Sequence, residues 1–252
     1  MHLDTPDTSR RSALLLAAGA VLVLPGCTEN SHSGPATEDV IATEDLCREH
    51  GVLRRILSVY DEVAPKIRAG GQGLDVGALV QAANLFQHFG EDYHERQLEE
   101  AYVFPAVQKT QGEAAGIVAT LLQQHQRGRE ITAYVQQTCA GGKLPTGAGE
   151  PLAAALESFT RMYRAHAAWE DTIVFPAWKT TMSKSQLNEI SEKFEDIEKA
   201  AFHGDGFDWA AAQVSQIEQR LGLHDLSKFT APPPPAPVNV TTTTAVKGGA
   251  PG

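Results

Sequence analysis

Apolar residues recur at helical spacing through the central part of the chain. Between residues 39 and 69 they fall three or four positions apart, as at Leu53, Ile56 and Leu57, so they share one face of a helix. Patterns of the same kind run over residues 74–107, 113–138 and 150–179. Glycine- and proline-rich breaks separate these patterns, which therefore predict four long helices.

The predicted fold is all-α. Long helices joined by short breaks favour an up-down antiparallel four-helix bundle. Two shorter helices are expected at about residues 184–202 and 207–221. The alternating apolar and polar pattern of a strand does not occur. The sequence therefore predicts a four-helix bundle with extra C-terminal helices.

The N-terminal segment has the pattern of an export signal. Arg10-Arg11 precede an apolar stretch from about Ala13 to Leu24, which is long enough for a signal and too short to span a bilayer. The arginine pair resembles a twin-arginine signal, with an ordinary secretory signal as the alternative. The stretch ends in Leu24-Pro25-Gly26-Cys27, which is similar to a lipobox with Cys27 as the lipidated residue. We therefore expect an extracytoplasmic bacterial protein, periplasmic or membrane-anchored.

The expected domain organisation follows from these boundaries. Residues 1–27 form the signal peptide and residues 28–37 a polar linker. Residues 230–252 are rich in proline, threonine and glycine and supply too little apolar area to fold, so we expect a disordered tail. The folded domain is predicted to span residues 38–229.

Composition narrows the function classes. The 21 Lys and Arg residues against 31 Asp and Glu residues give a net charge of −10, which argues against nucleic-acid binding because phosphate contacts need clustered basic residues. Three cysteines exclude a scaffold built on disulfides. A disulfide between Cys47 and Cys139 stays open.

Each of the four long predicted helices carries a central histidine: His50, His94, His125 and His166. Glu170 follows His166 by four residues, a spacing that places both side chains on one helix face. Glu99 follows His94 by five residues, about 140° away on a regular helix. That second pair needs a long side chain or a local π-bulge to share a ligand.

These six residues predict a metal site. Four imidazoles and two carboxylates from four antiparallel helices can form a closed set of inward-facing ligands, and unpaired they would be costly to bury. Mixed imidazole and carboxylate ligands suit iron, manganese or zinc better than calcium or magnesium. Two carboxylates that bridge two sets of imidazoles describe a dinuclear centre. Isolated surface or core histidines are the alternative.

A short internal repeat supports the pairing of these helices. Glu99 lies five residues before Phe104-Pro105, and Glu170 lies five residues before Phe175-Pro176. The repeat indicates a pseudo-twofold arrangement of two helix pairs. Proline is expected to kink or close each helix, and phenylalanine to pack the end of the bundle.

Together the motifs resemble the hemerythrin / HHE cation-binding family over about residues 42–180. The matching segments are Glu49-His50-Gly51-Val52-Leu53, Tyr93-His94-Glu95, Gln124-His125-Gln126 and His166-Ala167-Ala168-Trp169-Glu170-Asp171, with the two Phe-Pro pairs. The resemblance implies a non-haem di-iron centre bridged by carboxylates. In the founding members this centre binds dioxygen reversibly.

The sequence departs from that family in two places. Oxygen carriers have a second histidine four residues after the third-helix histidine, and here Arg129 stands at that position. The usual second-helix spacing would put a carboxylate at residue 98, which is Leu98, so Glu99 must serve. Asp171 is an alternative to Glu170, which we prefer because its distance to Phe-Pro equals that of Glu99.

Nearby residues receive supporting roles. His88 lies about 120° from the face of His94, so we interpret it as a partner or surface group. Glu95 faces elsewhere on a regular helix and is expected to support a ligand. Trp169 and Trp178 are interpreted as packing residues.

The resulting hypothesis is an exported hemerythrin-like protein that binds two iron ions, with manganese or zinc as alternatives. It would bind or sense dioxygen or another small diatomic such as nitric oxide, and contact a membrane only through a lipid on Cys27. An oxidase or peroxidase, or a metal-storage or structural bundle, are the alternatives. We favour a binding protein over an enzyme because no catalytic acid or nucleophile stands out beyond the metal set. Oligomeric state stays open.

Overall fold

A computed structural model describes residues 40–235 of the protein. The predicted signal peptide at residues 1–27, the linker at 28–37 and most of the tail at 230–252 lie outside the described residues, so those three predictions stand as predictions.

The described chain is built of helices. They are α1 (Ala42–Arg68), α2 (Val76–Leu85), a π-helical segment (Phe86–Val103), α3 (Phe104–Val107), α4 (Glu113–Cys139), α5 (Gly149–Trp169), a second π-helical segment (Glu170–Val174), α6 (Phe175–Thr180), α7 (Lys184–Phe202), α8 (Gly206–Leu221) and a 3₁₀ turn (Leu226–Phe229). Residues 40–235 contain no strand, which confirms the all-α prediction. None of these helices has the length and apolar character needed to cross a membrane.

Four long helical rods form the bundle. The first is α1, the second runs from α2 through the first π-helical segment into α3, the third is α4, and the fourth runs from α5 through the second π-helical segment into α6. The first rod packs along the fourth, and the second packs along the third. An aromatic cluster of Tyr60, Phe86 and Phe159, with ring centroids 4.8–5.6 Å apart, fills one end of the core. Burial of each large side chain contributes about 1.5–3 kcal/mol.

The two C-terminal helices cover the side of the bundle. Phe202 of α7 packs edge-on against Tyr93 with ring centroids 5.0 Å apart, and Phe194 stacks on the buried Trp178 at 5.7 Å. Trp209 of α8 packs against Phe202. These contacts shield the second helical rod from solvent along the part that carries His94.

Two stretches of the bundle depart from regular α-helix. Each π-helical segment ends two residues before a proline, Pro105 or Pro176. A proline ring clashes with the carbonyl four residues earlier in an α-helix and offers no N–H to it, and a wider turn relieves that clash. The second rod continues for two residues past Pro105, to Val107, and the fourth for four residues past Pro176, to Thr180, so neither proline ends its helix at once.

Some packing expectations need correction. Trp178 is 2 % exposed and lies in the core, as expected, but Trp169 is 45 % exposed and lies at the surface. Cys139 is buried, Cys47 is half-buried, and within the described residues both are free thiols.

Candidate metal centre

The six sequence-predicted ligands come together in the middle of the bundle. Each is at most 3 % exposed, and each helical rod supplies at least one of them. The set is His50, His94, Glu99, His125, His166 and Glu170. The structure therefore places all six in one buried cluster.

The first and second rods supply one pair of imidazoles. The Nε2 atoms of His50 and His94 lie 3.1 Å apart. An oxygen of Glu99 lies 3.4 Å from His94 Nε2, and an oxygen of Glu170 lies 3.4 Å from His50 Nε2. Both carboxylates therefore reach this pair.

The third and fourth rods supply the other pair. The Nε2 atoms of His125 and His166 also lie 3.1 Å apart. Glu99 Oε2 lies 3.3 Å from His125 Nε2, and Glu170 Oε2 lies 3.0 Å from His166 Nε2. Each carboxylate thus stands between the two imidazole pairs, in the position of a bridge.

The π-helical backbone explains how Glu99 reaches the centre. Hydrogen bonds in a π-helix join residues five apart, so His94 and Glu99 in the segment Phe86–Val103 face the same direction. On a regular helix they would diverge by about 140°. Leu98, at the usual family spacing, is instead buried among apolar residues.

The outer nitrogen of every imidazole has a hydrogen-bond acceptor. His50 Nδ1 faces Asp171 at 2.7 Å, and His94 Nδ1 faces Glu49 at 2.5 Å. His125 Nδ1 faces Glu100 at 2.9 Å, and His166 Nδ1 faces the side-chain carbonyl oxygen of Gln124 at 2.9 Å. Acceptors at Nδ1 require the hydrogen there, which leaves the Nε2 lone pairs aimed inward. This arrangement orients imidazoles in protein metal sites.

The repeated phenylalanines hold two of these rings in place. Phe175 stacks on His50 with ring centroids 5.5 Å apart and planes 23° from parallel. Phe104 stacks on His125 at 5.4 Å and 25°. The Phe-Pro repeat thus places a proline just after each π-helical segment and a phenylalanine against a histidine of another rod.

The buried carboxylates show that these residues suit a cation. Both oxygens of Glu99 and both of Glu170 lack a hydrogen-bond partner within the described residues, an arrangement that is costly for buried charges. Six carboxylates contact the four imidazoles, and two guanidiniums contact those carboxylates. With neutral imidazoles this leaves four negative charges, which two divalent cations would balance.

Comparison with protein families agrees with the geometry. The family model for the hemerythrin HHE cation binding domain matches residues 42–178. The chain belongs to the hemerythrin HHE cation-binding domain family. The match ends at Trp178, so α7 and α8 lie outside it.

Relatives of this HHE protein occur in mycobacteria. "Uncharacterized protein Rv1995" of Mycobacterium tuberculosis and "Uncharacterized protein Mb2018" of Mycobacterium bovis are each 40 % identical to it over 241 residues. The aligned region covers 90 % of this chain and 93 % of each relative. No solved structure matches the chain significantly.

The carboxylates of the HHE centre favour positive charge on His94 and His125. Burial opposes protonation of His94, but Glu99 and Glu49 outweigh it and raise the pKa of His94. Burial also opposes protonation of His125, and there Glu95, Glu100 and Glu99 raise the pKa to about 10. Because a metal must displace these protons, we expect metal binding to strengthen as pH rises.

The other residues singled out in the sequence lie around the cluster. Asp171 points away from the centre and binds His50 Nδ1 and Arg54, whereas Glu170 points inward. Arg129 turns away from the histidines and donates to Glu95 at 2.9 Å and to Glu100 at 2.5 Å. The third rod therefore supplies one imidazole to the cluster.

Glu95 and His88 agree with their expected roles. Glu95 is 1 % exposed, accepts from Arg129 and from the Tyr163 hydroxyl, and lies 3.8 Å from His125 Nδ1. Gly128 makes room for Tyr163, because a Cβ there would lie 2.6 Å from the hydroxyl. His88 is exposed and packs against Phe202 and Trp209.

Three of the acceptors have no role that was predicted from the sequence. Glu49, Glu100 and Gln124 each bind the Nδ1 atom of a histidine. Each is next to a predicted ligand in sequence, which is a weak signal. Glu49 precedes His50 but binds His94 on another rod, and it also accepts a 2.8 Å hydrogen bond from the Tyr93 hydroxyl.

Glu91 gives a prediction that does not depend on metal. It is 2 % exposed, and its Oε1 has no partner within the described residues. Burial, reinforced by Glu95, raises its pKa from 4.5 to about 7. A carboxyl whose pKa is raised by folding does not lower the free energy of unfolding at a pH below its unfolded-state pKa. It lowers that free energy as the pH rises from the unfolded-state pKa through the folded-state pKa.

We therefore expect Glu91→Gln to leave the free energy of unfolding nearly unchanged at pH 4.5 and to increase it by up to about 3 kcal/mol at pH 8. Urea unfolding at both pH values measures the difference. Asp92→Asn removes the neighbouring carboxylate, whose side chain is 40 % exposed and pairs with the exposed Arg96, and serves as the control, with a change below about 1 kcal/mol expected at either pH. An equal effect of Glu91→Gln at both pH values would contradict the prediction.

Proposed function

We propose that this HHE protein is an exported protein that holds a dinuclear non-haem iron centre and binds or senses dioxygen or a related small diatomic molecule. Manganese and zinc are alternatives that the same donor set accommodates. The proposal is supported above all by four Nε2 lone pairs that converge on two buried carboxylates without partners.

The residues divide between two ions. His50 and His94 would hold one, and His125 and His166 the other, with Glu99 and Glu170 bridging them. When bound, such a pair of irons supplies reversible binding of dioxygen, as the family resemblance implies. The chain itself contributes a water-poor pocket, since every ligand is at most 3 % exposed. Two imidazoles per ion leave room for an additional small ligand at each.

Export is supported by sequence. Arg10-Arg11 before an apolar stretch fits a twin-arginine signal, whose system moves folded proteins that often carry a cofactor already. Cell fractionation of a tagged chain tests this part: the protein should appear outside the cytoplasm, and the Arg10→Lys, Arg11→Lys variant should stay inside. An unchanged location in that variant would exclude the twin-arginine route.

The ligand assignment is tested at His166. We expect His166→Ala to lower bound metal from two ions per chain to at most one, and to lower the melting temperature with it, because metal binds the folded state and stabilises it. Elemental mass spectrometry and thermal melts are the measurements.

His88→Ala is the matched control, since His88 is an exposed histidine of the same fold. It should keep full metal content. If His166→Ala retains as much metal as the parent, His166 does not belong to the ligand set.

A peroxidase- or oxidase-type activity is the second candidate. It is favoured by Arg129, which turns to Glu95 and Glu100 and leaves the cluster with one imidazole from the third rod. Turnover of hydrogen peroxide by the iron-loaded protein, abolished in His166→Ala, would favour the enzyme. A reversible, oxygen-dependent absorption band without turnover would favour the binding protein.

A further inference from the structure

We propose that the two metal positions differ in affinity and that Gln124 sets the difference. The ion at His50 and His94 is the retained one, and the ion at His125 and His166 is the exchangeable one. This inference rests on the dinuclear centre proposed above and adds which ion leaves first.

The two pairs of histidines differ in what their outer nitrogens contact. His50 and His94 both donate to carboxylates, Asp171 and Glu49. A carboxylate at Nδ1 makes the imidazole more basic and strengthens its bond to a metal. His166 donates to the neutral amide oxygen of Gln124, which gives much less of this effect because charge-assisted hydrogen bonds are about twice as strong.

Glu49 is the strongest of the four acceptors. It is fully buried and lies 2.5 Å from His94 Nδ1. Its other oxygen is fixed by the Tyr93 hydroxyl at 2.8 Å, and Phe202 covers Tyr93. Because a buried charge is screened much less than an exposed one, this carboxylate acts strongly on His94.

The acceptor of His125 is weakened. Arg129 donates to Glu100 Oε1 at 2.5 Å, and His125 Nδ1 contacts that same oxygen at 2.9 Å. The guanidinium therefore competes with the imidazole for one oxygen. The Arg129 side chain is only 16 % exposed, so its charge acts with little screening.

The corresponding arginine on the retained side acts differently. Arg54 donates to Asp171 Oδ2, whereas His50 contacts Oδ1, so the two donors use separate oxygens. The Arg54 side chain is 42 % exposed, and water screens its charge. Each pair of histidines is surrounded by the same formal charge, two carboxylates and one guanidinium. The two metal positions therefore differ in how deeply the guanidinium is buried, in whether it shares an oxygen with the imidazole, and in the neutral Gln124.

The exchangeable side also has a route to solvent. His166 and Gln124 line a cavity of about 210 Å³ together with Leu121 and Trp169. Trp169 is 45 % exposed, so the cavity opens at the surface. A metal site needs an entry path, and this cavity reaches a ligand of the weaker pair.

The experiment is chelator-driven release of ferrous iron. The full-length protein is loaded anaerobically with two equivalents of ferrous iron and mixed with a chromogenic chelator. We expect one equivalent to leave at least about tenfold faster than the other, the size of effect typical for a hydrogen-bond partner of a metal ligand. Gln124→Glu should slow the fast phase about tenfold or more and leave the slow phase unchanged.

Glu49→Gln is the reciprocal variant and should accelerate the slow phase by a similar factor. Gln123→Glu makes the same chemical change on the exposed neighbour of Gln124 and should change neither phase. Circular dichroism of all three variants establishes that the helices are intact, and the two site variants test the proposal independently of each other.

Two results would overturn the inference while the dinuclear centre stands: release of both equivalents in one phase by the parent, or a fast phase unaffected by Gln124→Glu. A chain that takes up no ferrous iron would overturn the proposed function and the inference with it. These outcomes are distinguished by the iron content measured before chelator is added.

Discussion

Replacing Glu99 with glutamine is expected to remove most of the bound metal. Glu99 places one oxygen 3.4 Å from His94 Nε2 and the other 3.3 Å from His125 Nε2, so it serves both imidazole pairs. Glutamine keeps the size of the side chain but removes the charge and one oxygen ligand. The loss of affinity should exceed the roughly 10–100-fold typical for losing a hydrogen-bond partner of a ligand.

Metal content by elemental mass spectrometry and thermal melts with added ferrous iron measure this loss. The melting temperature of the parent should rise with iron, because a ligand bound to the folded state stabilises it, and that of Glu99→Gln should not. Asp92→Asn is the control on the same π-helical segment, since its side chain is 40 % exposed and pairs with Arg96 instead of with a ligand, and it should retain the metal. A Glu99→Gln protein with two ions per chain would exclude Glu99 as a bridge.

The second large effect is expected at Arg129. Its guanidinium lies between Glu95, which is 1 % exposed, and Glu100. Arg129→Met would leave two carboxylates without their cation. Removing one partner of a buried ion pair destabilises a protein by about 3–5 kcal/mol, and we expect the lower end because Glu100 keeps some contact with water.

Urea unfolding of parent and variant at the same metal loading measures this change. Arg127→Met removes the exposed pair between Arg127 and Glu130 on the same helix and should cost less than about 1 kcal/mol. Adding Glu95→Gln to Arg129→Met should recover part of the lost stability, because it removes the buried charge. Equal effects of Arg127→Met and Arg129→Met would show that burial of this pair is unimportant.

The helices were predictable because their buried apolar residues recur with the period of an α-helix. Apolar positions three and four apart define a buried face whatever the neighbouring rod is, so the predicted pattern at residues 113–138 agrees with α4 at Glu113–Cys139. The single helix predicted at 74–107 consists of three segments in the structure, α2, the first π-helical segment and α3. Hydrophobic periodicity did not predict this because it does not distinguish a π-helix from an α-helix. The five-residue spacing from His94 to Glu99 required either a long side chain or a local π-bulge, and it did not predict that the π-helical segment would extend over 18 residues.

The six clustered residues were predictable because each rod carries a conspicuous histidine or acid. Their acceptors were not, since adjacent residues on a helix point about 100° apart and here reach opposite nitrogens of one imidazole on another rod. Glu49 is next to His50 but binds His94, and Asp171 is next to Glu170 but binds His50. Only the packing of the rods decides these partners.

The most direct test of the dinuclear centre is the metal content of the purified chain, expressed with iron supplied and measured by elemental mass spectrometry. We expect about two iron ions per chain, as in other dinuclear carboxylate centres in helical bundles. One ion per chain would contradict the dinuclear centre, and a folded chain without metal would contradict the metal site itself.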